Sequence, residues 1–329
     1  MTSETYTRRE WLKLGAAAGA SVVVAGAPAI GYGATENEKP VPRPRSLRIA
    51  HLTDSHTQPE RRAAEGTIAC LRRVRELKPA ADLIVTGGDL IMDSFEADRA
   101  RTKLQWDLFT KIFREECGVP VEHTLGNHDI WGWNKQKSGT TGDEPEYGKK
   151  WALDTLGLAK PYRSFDRGGW HFVILDSVVS DGDGYLGRLD DEQFEWLGRD
   201  LAAVGAATPI VVSSHIPILA ACVLNDFQDK ADRAREFKVP GSWMMIDGRR
   251  VRELFRAHRN VRLCLSGHIH QVDRVDFEGV SYICDGAVSG AWWKGPNEQC
   301  AEGYGVVDLH PNGTWSHEYR TYGWKAEPT

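Results

Sequence analysis

The chain has few cysteines, and none of them are closely spaced. Its 329 residues include six cysteines, and no two of them form a C-x-x-C pair. Zinc sites built from thiolates use such pairs, so the sequence does not support a zinc–thiolate site. Cys264 and Cys284 lie in strand-like runs and are expected to be core residues. Cys222 and Cys300 lie in loop-like segments, and a disulfide between them is left open.

The chain also lacks an excess of positive charge. The formal net charge is −5, whereas proteins that bind long nucleic acid carry clusters of lysine and arginine. We therefore expect no long nucleic acid as a partner, although a short nucleotide stays compatible because metal ions supply positive charge locally. After the N-terminal region, no apolar stretch reaches the roughly 20 residues that a membrane span needs. We expect no stable membrane span in the mature protein.

The N-terminus resembles a twin-arginine export signal. Arg8 and Arg9 stand ahead of an apolar, Ala/Gly-rich run that extends from Leu14 to Ile30. A charged start followed by a short apolar run is typical of export signals, and Ala27-Pro28-Ala29 fits a small-x-small cleavage pattern. The alternative is an uncleaved N-terminal anchor. We expect the twin-arginine export machinery as a partner and a periplasmic or secreted location.

The remainder of the chain predicts a short leader and one large domain. We assign residues 1–34 to the signal peptide, residues 35–46, rich in proline and charge, to a flexible leader, and residues 47–324 to a single domain. A composition of 41% hydrophobic and 26% charged residues is ordinary for a globular protein. The length is ample for one α/β domain with a deep core.

Strand-like and helix-like patterns alternate along this domain. Apolar residues at helical spacing predict four helices, through Ile68, Leu71, Val74 and Leu77, through Leu104, Leu108 and Ile112, through Phe194, Leu197 and Leu201, and through Val251, Leu254 and Phe255. Asp190 and Asp191 are expected to cap the third of these helices. Such alternation predicts an α/β fold with mostly parallel or mixed strand pairing.

Metal-binding residue types follow five apolar runs. The runs are 47–52, 83–85, 121–125, 210–212 and 261–265, followed in turn by Asp54-x-His56, Gly88-Asp89, Gly126-Asn127-His128-Asp129, His215 and Gly267-His268-x-His270. Runs of this kind predict buried strands, and ligands in α/β folds gather outside the carboxyl ends of strands. Side chains at i and i+2 of an extended segment point to one side, and a neighbouring glycine lets the backbone turn sharply. The pattern predicts one shared metal site.

This order of motifs resembles that of the calcineurin-like metallophosphoesterases. The resemblance extends from Leu47 to Trp324, and within the family the chain looks most like bacterial phosphodiesterases of the class III cyclic-nucleotide type. It implies an α/β fold in which two sheets pack face to face with helices outside, the αββα sandwich of metallophosphoesterases. It also implies metal-dependent hydrolysis of phosphoric esters.

The resemblance implies two metal ions and their ligands. One ion would take Asp54, His56, Asp89 and His270, and the second would take Asp89, Asn127, His215 and His268. His128 would stay off the metals as an acid or a phosphate-binding group, and Asp129 either orients His128 or caps a turn. Oxygen and nitrogen ligands without thiolate suit transition-metal ions, and we favour Fe or Mn with Zn as the rival.

Two departures from motifs found in this family argue against two of its subfamilies. Purple acid phosphatases place a tyrosine three residues after the bridging aspartate, where this chain has Met92. Ser/Thr protein phosphatases follow that aspartate with an Asp-Arg-Gly element, which the segment from Leu90 to Ser94 lacks. A charge-transfer tyrosinate and a phosphoprotein substrate are therefore not expected.

The expected function is a secreted binuclear-metal phosphoesterase. It would hydrolyse a small phosphodiester or phosphomonoester by metal-activated hydroxide, with the diester favoured. Two alternatives stay open, a phospholipid or nucleotide-sugar hydrolase on the same site and a non-catalytic scaffold with the same fold. Scaffold relatives typically lose ligands, whereas every matching position is filled here. The oligomeric state is left open.

Three polar or glycine-containing stretches elaborate the scaffold. Trp131–Gly148 and Pro217–Gly248 directly follow motif residues and are expected to overhang the metals, whereas Gly286–Gly303 is not placed. Four tryptophans in or near these stretches either form an aromatic wall that stacks a nucleobase or sugar or pack in the core or at the rim. We favour packing for each of them; they are Trp131, Trp133, Trp292 and Trp293.

Overall fold

The structure is a computed structural model that describes residue 45, residues 47–227 and residues 238–327. The predicted signal peptide and nearly all of the predicted leader lie outside these residues. Within the described ranges, none of the helices is long and apolar enough to cross a membrane.

Strands and helices alternate through most of the described chain, as the apolar patterns predict. The strands are β1 (Leu47–Leu52), β2 (Leu83–Thr86), β3 (Val121–His123), β4 (Arg163–Arg167), β5 (Trp170–Ile174), β6 (Val178–Asp181), β7 (Gly184–Gly187), β8 (Ile210–Ser213), β9 (Val261–Ser266), β10 (Asp273–Phe277), β11 (Val280–Cys284), β12 (Gly303–Leu309) and β13 (Trp315–Thr321). The helices are α1 (Ala63–Arg75), α2 (Arg99–Glu116), α3 (Lys135–Ser138), α4 (Lys150–Leu156), α5 (Asp191–Ala203) and α6 (Gly248–Ala257). Short 3₁₀ turns cover Asn127–Asp129 and Cys222–Phe227.

The strands form two main sheets and a hairpin. The first sheet has the order β13-β12-β1-β2-β3, the second has the order β10-β11-β9-β8-β5-β4, and β6 pairs with β7. β1, β2 and β3 run parallel, as do β5, β8, β9 and β11. The parallel strands of each sheet therefore end at the same edge, and the loops after them lie side by side.

The core between the two sheets explains why the central strands are apolar throughout. Ile49 and Leu83 of the first sheet pack against Phe172, Val211 and Leu263 of the second. Successive strand residues point to opposite faces, so each central strand needs apolar residues for both. Burying one such side chain stabilises the fold by about 1.5–3 kcal/mol.

Helices cover the outer face of each sheet. Ala50 and Ile84 of the first sheet share an apolar cluster with Leu71 of α1, and Val212 of the second sheet shares one with Leu197 of α5. The layers are thus helix, sheet, sheet and helix, which confirms the predicted αββα architecture.

All four predicted helices are present as α1, α2, α5 and α6. Asp190 is the cap of α5, and its side chain accepts a hydrogen bond from the N–H of Gln193 at 2.7 Å. The predicted apolar face of α2 was wrong at Leu104, which is 49% exposed. The helix instead buries Trp106 and Phe109, one turn on, because these larger rings fill the space beside the loop after β2.

Candidate metal centre

The loops after the parallel strands of both sheets deliver the predicted ligands to one place. The first sheet contributes Asp54, His56, Asp89 and Asn127, and the second contributes His215, His268 and His270. Three groups of possible ligands form there, and within each group the ligand atoms lie within 4.8 Å of one another. The two ligand groups that match the predicted ions are Asp54, His56 and His270, and Asp89, His215 and His268, and the third group is His56, Asp89 and His128.

Asp89 lies between the two groups. Its Oδ2 is 3.2 Å from His215 Nε2 and 3.6 Å from His56 Nε2. A carboxylate offers two oxygens, so one side chain in this position can serve two ions. This arrangement agrees with the predicted bridging role, and Asn127 adds a neutral oxygen, with Oδ1 at 3.1 Å from His215 Nε2.

Each histidine in the two groups directs one ring nitrogen at a main-chain carbonyl. A carbonyl oxygen only accepts, so that nitrogen carries the ring proton and the other nitrogen of a neutral ring presents a lone pair. Histidines that bind metals typically use their second nitrogen in this way. The pairs are His215 Nδ1 with Gly87 O at 2.8 Å, His268 Nε2 with Ser242 O at 2.9 Å, His270 Nδ1 with Gly290 O at 2.6 Å and His56 Nδ1 with Met92 O at 3.4 Å.

The remaining nitrogens face one another and the carboxylates. His56 Nε2 is 3.1 Å from His270 Nε2, and His215 Nε2 is 3.0 Å from His268 Nδ1. Lone pairs at such distances repel unless a proton or a cation lies between them. Asp54 Oδ1 is buried, has no hydrogen-bond partner among the described residues and lies 3.3 Å from His270 Nε2. The donor set therefore fits metal ions.

Burial and charge hold most of these groups in the protonation state that metal binding needs. Burial lowers the pKa of both His56 and His268 to about 3, so both rings are neutral at physiological pH. Burial acts to raise the pKa of Asp89, but the charges of His215 and His128 outweigh it and hold that pKa well below its usual range. The pKa of His215 is raised to about 9, because Asp89 outweighs the effect of burial. A cation at His215 Nε2 would replace that proton.

Five of the seven predicted ligands have a left-handed backbone. The φ values are 56° at Asp54, 40° at His56, 51° at Asp89, 72° at His268 and 56° at His270. Such a conformation costs a non-glycine residue on the order of 1–3 kcal/mol and persists only where the surroundings hold it. The prediction that paired ligands share one side of an extended segment was therefore wrong. The side chains converge because the chain turns left-handed as it leaves each strand.

Only one of the three glycines beside the ligands has the predicted role of supplying a turn. Gly88 has a φ of 92° and does supply a turn. Gly126 and Gly267 do not have positive φ, but a Cβ on Gly126 would lie 2.1 Å from Asp89 Oδ1, and a Cβ on Gly267 would lie 2.3 Å from Asp54 Oδ2. These two glycines let main chain pack directly against the carboxylates of the ligands.

His128 is not among the ligands predicted for either ion, but it lies close enough to His56 and Asp89 to form the third group. Its Nε2 is 4.0 Å from Asp89 Oδ2, its Nδ1 is 3.6 Å from Asp93 Oδ1, and its side chain is 27% exposed. Burial acts to lower the pKa of His128, but Asp89 and Asp93 outweigh it and raise the pKa to about 9. Asp93 was not identified from the sequence, because it belongs to no motif and reaches His128 only through the fold.

Asp129 organises the loops beneath the site. Its Oδ1 accepts hydrogen bonds from the N–H groups of Leu90 and Ile91 at 2.8 and 3.3 Å, and its Oδ2 accepts from Gly126 at 2.8 Å. Burial raises its pKa to about 7. These bonds join the loop after β2 to the loop after β3, which favours the turn-capping alternative. A catalytic role for Asp129 stays a prediction.

A cavity of about 290 Å³ opens over the ligands. Its walls include Tyr185 from the β6–β7 hairpin, with its ring centroid 6.1 Å from that of His268, and Trp243 from the stretch after His215. Trp292 forms another wall, and its ring centroid lies 4.7 Å from that of His270. Tyr185 was not predicted from the sequence as a cavity residue, because it lies in a short hairpin far from the motifs.

The four tryptophans have different environments. Trp292 is 36% exposed and lines the cavity, whereas Trp131 and Trp293 are buried in the core. Trp293 donates its Nε1–H to the carbonyl of His56 at 3.0 Å and packs directly on Gly66 of α1. Trp133 packs against Phe95. Packing is therefore confirmed for three of the four, and Trp292 is the exception.

The three elaborating stretches also differ. Pro217–Gly248 and Gly286–Gly303 contribute lining residues to the cavity, whereas no residue of Trp131–Gly148, all of which are described, lines it. The prediction that Trp131–Gly148 overhangs the metals was therefore wrong. Its ends pair with each other through Trp131 and Gly148, and the Trp131 ring packs on Trp151, so the stretch folds towards α4.

Comparison with curated proteins finds relatives that are named as cyclic-nucleotide phosphodiesterases. A 3',5'-cyclic-nucleotide phosphodiesterase of Nostoc sp. is 24% identical over 304 residues, which cover 86% of this chain and 96% of the relative. The 3',5'-cyclic adenosine monophosphate phosphodiesterase of Escherichia coli is 25% identical over 287 residues, which cover 83% of this chain and 88% of the relative.

The fold and the family agree. A dimetal phosphatase from Danio rerio superimposes with a TM-score of 0.59 at 15% identity, over 85% of this chain and 97% of that one. The sequence pattern of the family described as Calcineurin-like phosphoesterase matches residues 47–272, which include every predicted ligand. This chain therefore belongs to the calcineurin-like phosphoesterases.

Proposed function

We propose that the protein is a binuclear-metal phosphodiesterase whose small substrate carries a planar ring. The observation that carries the proposal is the convergence of lone pairs in two groups with Asp89 between them. Pairs of metal ions about 3.5–4 Å apart catalyse in-line displacement at phosphorus in many enzymes. The names of relatives at 24% and 25% identity support a diester over a monoester.

The ligand set suits a site for an anionic substrate. Bound ions would supply charge stabilisation for the phosphate oxygens and would lower the pKa of a water molecule. The predicted ligand set contains only two carboxylates, Asp54 and Asp89, and the other ligands would bind as neutral side chains. Two divalent ions would therefore keep an excess of positive charge in the cavity, which favours a phosphate group.

We assign His128 to proton transfer rather than to a metal ion. Its Nε2 lies 4.0 Å from Asp89 Oδ2, and its Nδ1 lies 3.6 Å from Asp93 Oδ1. The protonated ring can donate to a leaving oxygen or to a phosphate oxygen at the cavity. If the ring protonates the leaving oxygen, the effect of removing the ring would depend on the leaving group. If the ring binds a phosphate oxygen, the effect would be the same for all leaving groups.

The cavity walls support a planar substituent on the phosphate. Trp292, Trp243 and Tyr185 present aromatic faces and edges around a space of about 290 Å³. Aromatic rings stack on other rings in offset or edge-to-face geometry, which an alkyl chain cannot exploit to the same degree. A nucleotide ester meets both requirements, an anionic phosphate and a flat base.

The decisive experiment is a substrate panel on the metal-reconstituted protein. It should contain cyclic nucleotides, bis-nitrophenyl phosphate, nitrophenyl phosphate and phospholipid head-group esters. We expect the highest kcat/KM for a cyclic nucleotide and a higher value for the nitrophenyl diester than for the monoester. Preference for the monoester or for head-group esters would refute the proposal.

A matched pair of variants tests the aromatic walls. Trp292→Ala should raise KM for a nucleotide ester by about tenfold, the worth of one stacking contact, and should change KM for a methyl phosphodiester little. Trp133 packs away from the cavity, so Trp133→Phe should change neither value.

For the metals we propose Fe or Mn, with Zn as the rival. The basis is the oxygen and nitrogen donor set without thiolate. Elemental analysis of protein purified without added metal should find two such ions per chain. One ion, or none after reconstitution, would contradict the two-ion assignment.

For the location we propose export through the twin-arginine pathway to the periplasm or beyond. Support comes from Arg8 and Arg9 ahead of the apolar run that ends at Ile30. Changing both arginines to lysine should keep the precursor in the cytoplasm, as followed by cell fractionation. Normal export of that double variant would refute the proposal.

A further inference from the structure

Two cysteines that are distant in sequence meet beside the metal centre. Cys222 begins the 3₁₀ turn Cys222–Phe227, and Cys284 is the last residue of β11. Both side chains belong to one small buried cluster. The N–H of Cys222 donates to Asp273 Oδ2 at 2.9 Å, and Asp273 pairs with Cys284 across β10 and β11. Cys284 Sγ is 3.0 Å from the carbonyl oxygen of Gly267. Because that oxygen only accepts, the Cys284 thiol donates to it.

The surroundings of the pair are apolar and closely packed. Cys222 is 6% exposed and Cys284 is 2% exposed, and both belong to a small cluster with Ala220 and Val223, against which Trp243 packs. Disulfides form between residues whose Cα atoms are about 4.4–6.8 Å apart. The shared cluster and the strand pairing through Asp273 bring Cys222 and Cys284 close together. Disulfide formation removes two hydrogens and adds no atom, so a closely packed pocket can accommodate it.

The pair lies where two walls of the metal cavity meet. Cys222 belongs to the stretch that also supplies Trp243 and the Ser242 carbonyl, which fixes the His268 ring. Cys284 ends the strand that pairs with β9, the strand that leads into His268. A covalent bond here would fix the relative position of these two walls.

We propose that Cys222 and Cys284 form a disulfide bond under oxidising conditions and so lock the wall that carries Ser242 and Trp243 onto β11. All six cysteines are free thiols in this structure, which is the reduced form. The pairing of Cys222 with Cys300 that the sequence left open is not the one favoured by the fold. Cys300 Sγ instead contacts Tyr319 and lies 3.8 Å from the carbonyl of Ala301.

The oxidation proceeds by exchange with an external disulfide such as oxidised glutathione. The Cys222 thiolate attacks one sulfur of that disulfide, forms a mixed disulfide and releases one glutathione. The Cys284 thiolate then attacks the Cys222 sulfur and releases the second glutathione. Two protein thiols become one disulfide, and one oxidised glutathione becomes two reduced molecules that take up the two protons. Cys222 is the more exposed of the two and reacts first.

Peptide mapping of the wild-type, metal-loaded protein tests the proposal directly. The protein is equilibrated in glutathione buffers from reducing to oxidising, free thiols are alkylated, and the digest is analysed without reduction. We expect a peptide that joins Cys222 to Cys284 to rise with the oxidising potential. Recovery of both cysteines in alkylated form in the most oxidising buffer would overturn the proposal, and so would a peptide that joins Cys222 to Cys300.

Thermal unfolding gives a second measurement. The bridge would close a loop of roughly 60 residues, and loops of this size predict a Tm about 5 °C or more higher for the oxidised than for the reduced protein. The difference should vanish in Cys222→Ala and persist in Cys300→Ser, the matched control. If Cys222→Ala does not fold, the peptide map of the wild type decides alone.

Discussion

Two clusters of histidine and aspartate in the described part of the chain are built on different principles. In the second cluster, His51 of β1 and His317 of β13 flank Asp285, which follows β11. Asp285 Oδ2 is 2.7 Å from His51 Nδ1, and Asp285 Oδ1 is 2.8 Å from His317 Nε2. Each imidazole there faces a carboxylate oxygen, so protons and lone pairs match. In the metal centre, imidazole faces imidazole.

The backbone conformation also differs between the two clusters. The second cluster is supported on regular strand pairing, with His51 opposite Gly305 and His317 opposite Val307. Five of the seven predicted metal ligands, all except Asn127 and His215, have positive φ. A cluster whose imidazoles pair with a carboxylate stabilises the fold by itself, and His51 Nε2 is the one buried ring nitrogen there without a hydrogen-bond partner among the described residues. A cluster with facing lone pairs and a strained backbone is completed by a cation, and this contrast distinguishes a functional histidine cluster from a structural one.

The largest expected effect is on the metal centre, from Asp89→Ala. Asp89 is the carboxylate between the two ligand groups, so both ions should be lost together and hydrolysis should fall to background. Partners in the outer shell of metal ligands are worth about 10–100-fold, and loss of a shared ligand should exceed this. Elemental analysis and kcat/KM measure the outcome. Retention of both ions would contradict the bridging role.

The next effect concerns His128. His128→Ala should keep both ions, because His128 is not proposed as a ligand of either ion. Loss of a general acid costs about 10²–10⁴-fold where the leaving group needs a proton. The rate on an alkyl or nucleoside ester should therefore fall far more than the rate on a nitrophenyl ester, whose leaving group departs without one.

Two other outcomes for His128→Ala would each be informative. An equal loss on both esters would assign the ring to phosphate positioning. Loss of an ion would show that His128 supports the metal cluster, and the acid role would be abandoned. Asp93→Asn is the matched milder change, and it should lower the rate in the same ester-dependent pattern.

In the second cluster, Asp285→Asn should affect stability and leave metal content unchanged. The change removes the charge partner of two buried imidazoles, and breaking a buried pair costs about 3–5 kcal/mol. Urea unfolding with elemental analysis separates the two readouts. Loss of metal from a still-folded variant would remove the distinction between the clusters.

The second cluster also predicts an acid limit to stability. Burial acts to raise the pKa of Asp285, but hydrogen bonds and charge from His317 and His51 outweigh it and lower the pKa to about 2, from an ordinary value of 3.8. A depressed folded-state pKa contributes stability above the unfolded value, and this is lost as pH falls from about 4 to about 2. The contribution is about 2 kcal/mol. Unfolding free energies at pH 5 and pH 3 should differ less in Asp285→Asn.

The smallest effect concerns a histidine near the surface that belongs to neither cluster. His171 lies between Asp200, at 2.9 Å, and Asp166, at 2.7 Å, and these bonds raise its pKa above 6.5. A raised folded-state pKa contributes stability below the unfolded value, and this is lost as pH rises through the folded value. His171→Asn should therefore lower Tm by a few degrees at pH 5.5 and by less at pH 9, since such partly exposed pairs are worth about 1 kcal/mol or less. An equal loss at both pH values would indicate packing alone.

Local patterns in the sequence predicted alternating strands and helices and a convergence of metal-binding residue types, and the family resemblance added the two-sheet architecture. Apolar runs mark the central strands, and a metal-binding residue follows each strand that ends at the site. The cavity walls could not be predicted in this way. Tyr185 arrives from a hairpin and Asp93 from a segment without a motif, so only the tertiary fold brings them to the ligands. His51 and His317 belong to no motif either, and only the structure reveals their shared partner Asp285.

The division of the ligands between the sheets has a mechanical consequence. Each proposed ion takes ligands from both sheets, since His270 joins Asp54 in one group and His215 joins Asp89 in the other. A bound ion would then act as a cross-link over the edge of the sandwich, and separating the sheets would require releasing both ions. Resistance to unfolding should follow the free metal concentration through mass action. A melting curve recorded against a metal buffer would thus measure the affinity of the centre without any substrate.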